Sequence, residues 1–149
     1  MKILVINGPN INMLGIREPE IYGKETYFDL ISKIMIKGEE LKVQIECYQS
    51  NHEGDIIDKI QSAYKKFDGI IINPAGYTHT SVAIADSIKA VMIPCVEVHI
   101  SKVDSREEYR KISYVRDASI ATVSGEGTDG YCHALEIICN ALEKNEKNS

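Results

Sequence analysis

Arg17 and Tyr22 stand five positions apart in a polar stretch, residues 7–23, that Gly8, Pro9, Gly15, Pro19 and Gly23 punctuate. A free tyrosine of pKa about 10 is ionised at roughly one part in a thousand at neutral pH, a deficit of about 4 kcal/mol for a phenolate base. A guanidinium at close range stabilises phenolate, so Arg17 can supply the tuning that Tyr22 needs. Without such a partner a loop tyrosine is a packing residue. Glu97-x-His99 is a second candidate, because the two-residue period of a strand puts both side chains on one face. There the carboxylate can orient the imidazole or raise its proton affinity, or the two can form a buried structural pair. His79 lies in a Thr-His-Thr-Ser loop that reads equally as an N-capping turn.

Weaker signals surround these. Asn10 and Asn73 lie in the polar stretches that follow the first and third apolar runs, on the same edge as the other candidates. Asn51, His52 and Glu53 read as turn and N-cap chemistry or an assembly contact. Gly125-Glu126-Gly127 before the last helix can cradle an anion but is too short for a dinucleotide fingerprint. Arg106 and Arg110 read as a solvated face. The histidines show no H-x-x-x-H or H-E-x-x-H spacing, which leaves a metal the weak option.

These residues need a scaffold that gathers remote segments. Ile3–Ile6 is a short β-branched run suited to a central strand, and the long loop after it has the length and composition of a mobile, chemistry-bearing segment. Thr26 to Lys37 has helical apolar spacing, which Gly38 is expected to end. Val43, Ile45 and Cys47 alternate as a half-buried strand, and Asp55 to Phe67 reads as a helix. A third strand at Ile70–Ile72, a helix over Val82 to Ala90 and a fourth strand over Val91 to Ile100 follow, with Pro94 near the entry of that strand. Ser105-Arg106-Glu107-Glu108 has the form of an N-cap with an acidic first turn. Ile120 to Val123 reads as the last strand, Thr128 to Glu143 as a terminal helix, and residues 144–149 as a frayed tail. Strands alternating with helices imply a parallel sheet covered on both faces, with ligands outside the carboxyl ends of its strands. The polar loops after strands one to four would then share one pocket.

Composition narrows the partners. With 149 residues, 44% of them hydrophobic and 26% charged, the chain has the makings of one domain over residues 1–149. A net charge of −5 without a basic stripe argues against nucleic acid, since nothing would neutralise a phosphate backbone. Apolar runs fall far short of the ~20 residues that cross a bilayer, so no membrane partner is expected. Cysteines at 47, 95, 132 and 139 form no C-x-x-C pair and follow no signal-like segment, a pattern of free thiols in a reducing cytoplasm.

The chain also resembles the type II 3-dehydroquinate dehydratases. The likeness is carried by Asn7-Gly8-Pro9-Asn10, Leu14-Gly15, Arg17-Glu18-Pro19, Tyr22-Gly23, Gln49-Ser50-Asn51-His52-Glu53-Gly54, residues 77–83, Glu97-Val98-His99-Ile100-Ser101 and residues 106–110. It implies an α/β, flavodoxin-like three-layer sandwich with a five-stranded parallel sheet. It implies an enzyme without cofactor or metal that converts 3-dehydroquinate to 3-dehydroshikimate in the shikimate pathway, towards aromatic amino acids, by anti elimination through an enolate. By motif position, Tyr22 would be the base with Arg17 lowering its pKa, and His99 the acid with Glu97 orienting it. Asn10 would help stabilise the enolate oxygen. Asn73, His79, Arg110, Ile100 and Ser101 would bind substrate, and Asp86 would reach a neighbouring subunit's site in a cytoplasmic homododecamer of four trimers. The contrasting reading is a non-catalytic binding or signalling module of the same fold. That reading would call for a carboxylate cluster or an anion loop after the first strand, and Asn7-Gly8-Pro9-Asn10 holds no carboxylate.

Overall fold

A computed structural model of the chain describes every residue except Arg17, and describes Tyr22 by its backbone alone. Five strands form one parallel sheet: β1 (Lys2–Asn7), β2 (Gln44–Gln49), β3 (Gly69–Asn73), β4 (Cys95–His99) and β5 (Ala121–Ser124). Their spatial order β2-β1-β3-β4-β5 is the flavodoxin-like order, which reverses direction between β1 and β3. β1 and β3 are buried along nearly their whole length, as the continuous β-branched runs require of strands covered on both faces.

Side-chain alternation divides those runs between two cores. Ile3, Val5, Ile71, Val96 and Val98 pack with α2 (Tyr27–Leu41) and α5 (Asp129–Lys147), whereas Leu4, Ile6, Ile70, Ile72 and Cys95 pack with α3 (Glu53–Ser62) and α4 (Val82–Val91). α2 begins at a capping box in which Thr26 Oγ1 accepts from the Asp29 N–H and Asp29 accepts from the Thr26 N–H. α4 begins at Ser81, whose Oγ accepts from the Ile84 N–H.

Several boundaries differ from the sequence reading. Gly38 does not end α2, which continues to Leu41 and stops at Lys42 in the left-handed region. The glycine is there for closeness, since a Cβ on it would lie 2.4 Å from Ile45 Cδ1 on the edge strand β2. α3 stops at Ser62 rather than running to Phe67. Lys65 at φ 61° takes the chain out of the helix, while Ala63 and Phe67 still reach the core. Val91 closes α4 and β4 starts only at Cys95, after Met92 in the left-handed region and Pro94. α5 continues past Glu143 to Lys147, with Lys144 and Lys147 in the last turn, where cations suit the helix dipole. The long loop after β1 contains a helical turn, α1 (Pro19–Tyr22), opened by its proline at the first position.

The largest difference is the connection from β4 to β5. The N-cap signal at Ser105 starts no α-helix, and three short 3₁₀ turns, Val103–Ser105, Glu108–Arg110 and Arg116–Ala118, cross instead. Ser105 Oγ donates to the Lys102 carbonyl, so it closes a turn rather than opening a helix. Between Ser101 and Ser119 only Val103 and Val115 are buried apolar anchors, too few for an amphipathic face.

Gly8 marks a close approach of backbone to backbone. Its N–H donates to the Asn73 carbonyl at 2.8 Å, and a Cβ on it would lie 2.5 Å from the Pro74 carbonyl oxygen. Backbone sits on both sides, so neither loop can step aside cheaply. Gly8→Ala is expected to lower stability by about 1–3 kcal/mol, read as a lower urea midpoint at unchanged m-value.

Candidate active site

At the carboxyl edge of the sheet a cavity of about 160 Å³ opens beside the point where strand order reverses. Asn10 and Ile11 line it after β1, and Asn73, Ala75, Gly76 and His79 line it after β3. His99, Ile100, Ser101, Val103, Arg106 and Arg110 complete it from β4 onward. The expectation of one pocket shared by four loops is met in a modified form. The loop after β2 does not line the cavity but braces its floor. Asn51 Oδ1 accepts from the Asn10 N–H at 3.1 Å, Gln49 Nε2 donates to Asn51 Oδ1 and the Gly8 carbonyl, and Tyr77 Oη donates to the Asn51 carbonyl. Asn10 itself is left-handed at φ 71°, a conformation that asparagine tolerates.

Glu97 and His99 form the chemical centre of this wall. His99 Nε2 donates to Glu97 Oε1 at 2.5 Å, and both groups are buried. Ser113 Oγ donates to the same oxygen at 2.6 Å, and Thr122 Oγ1 donates to Oε2 at 3.0 Å. Arg116 Nε stands 3.9 Å from Oε2, close enough for charge but not for a hydrogen bond. Burial pushes the Glu97 carboxyl up, yet the His99, Ser113 and Thr122 contacts outweigh it and hold the group below its ordinary range. An ionised Glu97 fixes the hydrogen of His99 on Nε2, leaving Nδ1 as the ring nitrogen available to the cavity. The irregular crossover explains this arrangement, since it delivers Ser113 and Arg116 to a place that a helix would have covered with apolar side chains.

His79 is fixed in the opposite sense. Its Nδ1 donates to the Ile112 carbonyl at 2.6 Å, so in the neutral ring Nε2 is an acceptor. Burial, helped by the charge of Arg110, holds the ring below the usual histidine range despite the opposing pull of that carbonyl. Arg110 Nε is 2.8 Å from Glu107 Oε2 and Arg106 Nε is 3.7 Å from the same oxygen. Both arginines line the cavity rather than a solvated face. With His79 as an acceptor and two guanidinium groups near it, the cavity suits a small polyhydroxylated anion.

The remaining sequence candidates fall elsewhere. Asp86 is exposed on α4 and does not line the cavity. Arg17 and the Tyr22 side chain lie outside the described residues. The backbone around Tyr22 is close by, however. Ile21, Gly23 and Glu25 border a second cavity of about 350 Å³ that shares Ile100 and Ser101 with the first. Gly125 and Gly127 are no anion cradle: their N–H groups donate to the carbonyls of His99 and Ile100, bracing the β4 end from behind. The four cysteines are free, and burial pushes the Cys95 thiol up to about 12. No helix among the described residues is long and apolar enough to cross a membrane. Sequence reasoning missed Arg106 as a lining group because the N-cap pattern around it had a local explanation. It missed Ser113 and Thr122 because hydroxyls 16 and 25 residues from Glu97 carry no local signal.

Comparison with known proteins gives a consistent picture. A family model described as dehydroquinase class II matches residues 1–139. A 3-dehydroquinate dehydratase from Clostridium acetobutylicum is 54% identical over 144 residues, which is 97% of this chain and 100% of that protein. A type II dehydroquinase from Butyrivibrio crossotus superposes with a TM-score of 0.92 at 51% identity, covering 93% of this chain and 97% of that one. The type II dehydroquinase from Propionibacterium acnes gives 0.90 at 40% identity, with coverages of 93% and 96%.

Glu97 also ties stability to pH. Its folded carboxyl titrates below the ordinary value of 4.5, so its ionised contacts contribute in full above that pH and are lost as the pH falls through the lower, folded value. The stability gap between the protein and its Glu97→Gln variant is therefore expected to be widest near neutrality and to shrink below pH 4.5, as urea unfolding across that range would show.

Proposed function

The chain belongs to the class II dehydroquinase family and is a 3-dehydroquinate dehydratase of the shikimate pathway, and from that premise we propose an anti elimination through an enolate, with Tyr22 as base and His99 as acid. The Tyr22 phenolate takes the proton from the carbon beside the ketone, and the C–H electron pair becomes the enolate. Arg17 holds the phenol ionised. Asn10 helps hold the donors that stabilise the enolate oxygen as charge develops there. The enolate then collapses: its electron pair forms the carbon–carbon double bond and the C–O bond on the next carbon breaks. His99, protonated on Nδ1, donates to the departing oxygen, and water leaves. Tyr22 is left neutral with an extra proton and His99 with one fewer, so return of one proton between them through solvent resets the site. The balance needs no oxidant or reductant.

One observation supports this reading above the others: a buried, ionised Glu97 holds His99 at the wall of a cavity that Asn10, Asn73, His79 and Arg110 also line. In the proposal Asn73, His79, Arg110 and the backbone of Ile100 and Ser101 bind the hydroxyls and carboxylate of the substrate. Segment 18–23 closes over the site and excludes water from the enolate. Residues 1–149 act as one catalytic domain in the cytoplasm. Asp86, exposed on α4, reaches the site of a neighbouring subunit in a dodecamer of four trimers.

Incubation with 3-dehydroquinate, followed by the ultraviolet absorbance of the conjugated enone, tests the activity. Tyr22→Phe is expected to keep the fold and lose about 10²- to 10⁴-fold in kcat, and a variant turning over at the wild-type rate would remove Tyr22 from the role of base. Arg17→Lys is expected to be slow as well, because an ammonium lacks the planar fork of the guanidinium. Light scattering coupled to size-exclusion chromatography is expected to give the mass of twelve chains. A stable monomer would count against the role of Asp86.

A further inference from the structure

The last side chains of β1 and β3 are both asparagines, and the sheet register places Asn7 directly beside Asn73 where strand order reverses. Both are buried, at 0% and 3% exposure, against α5. There Tyr131, the largest side chain with no exposed surface, inserts its hydroxyl between them. Tyr131 Oη donates to Asn7 Oδ1 at 2.6 Å and accepts from Asn73 Nδ2 at 2.9 Å. Asn73 Oδ1 accepts from the Ala75 N–H at 3.1 Å.

The chemistry of these groups fixes the directions at Asn73. A backbone N–H can only donate, so the Asn73 atom facing Ala75 is the oxygen, and the amide nitrogen must face Tyr131. The phenol accepts that hydrogen and sends its own to Asn7. Burial pushes the Tyr131 pKa far above that of an ordinary phenol, which keeps the hydroxyl protonated at any working pH. Held at both ends, the Asn73 amide plane is set, and the second hydrogen of Nδ2 is the one left for the cavity that Asn73 lines.

We infer that Tyr131 is a positioning residue: it touches no substrate, but through its hydroxyl bridge between Asn7 and Asn73 it makes Asn73 a directed donor to an oxygen of the substrate. This rests on the reading of Asn73 as a substrate ligand. Without the phenol the Asn73 amide keeps only the Ala75 contact and can swing about its last torsion. A contact made equally in the ground and transition states then weakens, which raises KM and leaves kcat near its wild-type value.

A double-mutant cycle between Tyr131→Phe and Asn73→Ala tests this, with steady-state kinetics and far-ultraviolet circular dichroism on each protein. Tyr131→Phe is expected to fold, and to lose about tenfold in kcat/KM, mostly through KM. The same change in the Asn73→Ala background is expected to leave kcat/KM unaltered, because there is no amide left to direct. A folded Tyr131→Phe with wild-type KM, or an equal loss in both backgrounds, would overturn the inference while leaving Asn73 as a ligand. A wild-type kcat/KM for Asn73→Ala alone would instead overturn the ligand reading and the inference with it. Should Tyr131→Phe not fold, Asn7→Ala keeps the phenol and removes its acceptor. The hydroxyl then loses the acceptor that fixes its rotation and no longer holds its lone pair on Asn73 Nδ2, so KM is expected to rise in the same sense, with an unchanged KM counting against the bridge.

Discussion

Two parallel strands that end level with one another leave their final side chains together on one face, and in this molecule those side chains are polar. Asn7 and Asn73 are buried between sheet and helix, where an unpaired amide group costs about 1–3 kcal/mol, and the Tyr131 hydroxyl meets the Asn7 Oδ1 and the Asn73 Nδ2. That constraint places Tyr131 on the first turn of α5, under the carboxyl edge of the sheet rather than among the aliphatic side chains further along the helix. It also helps to set where the floor of the cavity lies. Gly8 follows Asn7 so closely along β3 that its N–H donates to the Asn73 carbonyl, and Asn10 and Ala75 then line the site from the same platform. The reversal of strand order is therefore a chemical junction as much as a topological one.

The opposite wall is organised by a charge. A carboxylate without exposed surface has to gather donors from wherever the chain can bring them, and Glu97 takes them from its own strand, from β5 and from the crossover between the two. The site thus has two supports of different kinds, a neutral amide and phenol bridge on the β1–β3 side and an ionic cluster on the β4–β5 side. His79 and the two arginines stand between them.

The sheet was legible in the sequence because fully buried strands announce themselves as β-branched runs, and the Glu97-x-His99 pair was legible because a period of two is a local property. Boundaries set by tertiary contact were not. Gly38 has the appearance of a helix stop, and only the nearness of Ile45 shows why glycine stands inside α2. The N-cap pattern at Ser105 is satisfied by a 3₁₀ turn, since the residues after it offer no apolar face for a helix to bury. Within the site, Asn10, Asn73, His79 and His99 were found by their place at the ends of strands, whereas Arg106 and Arg110 were discounted as surface charges and Arg110 was recovered only through the family resemblance. Tyr131 carried no signal at all, because a tyrosine on the first turn of an amphipathic helix looks like core until its hydroxyl is seen between two asparagines.

The Glu97 cluster has a consequence for the order in which the molecule becomes competent. Thr122 is the residue on β5 opposite Glu97, and Ser113 belongs to the segment that leads to that strand. A chain that has assembled β1 to β4 but not yet added β5 would hold the carboxylate without those hydroxyls, with His99 as its remaining donor. The last strand to be synthesised is therefore the one that completes the set of donors around Glu97.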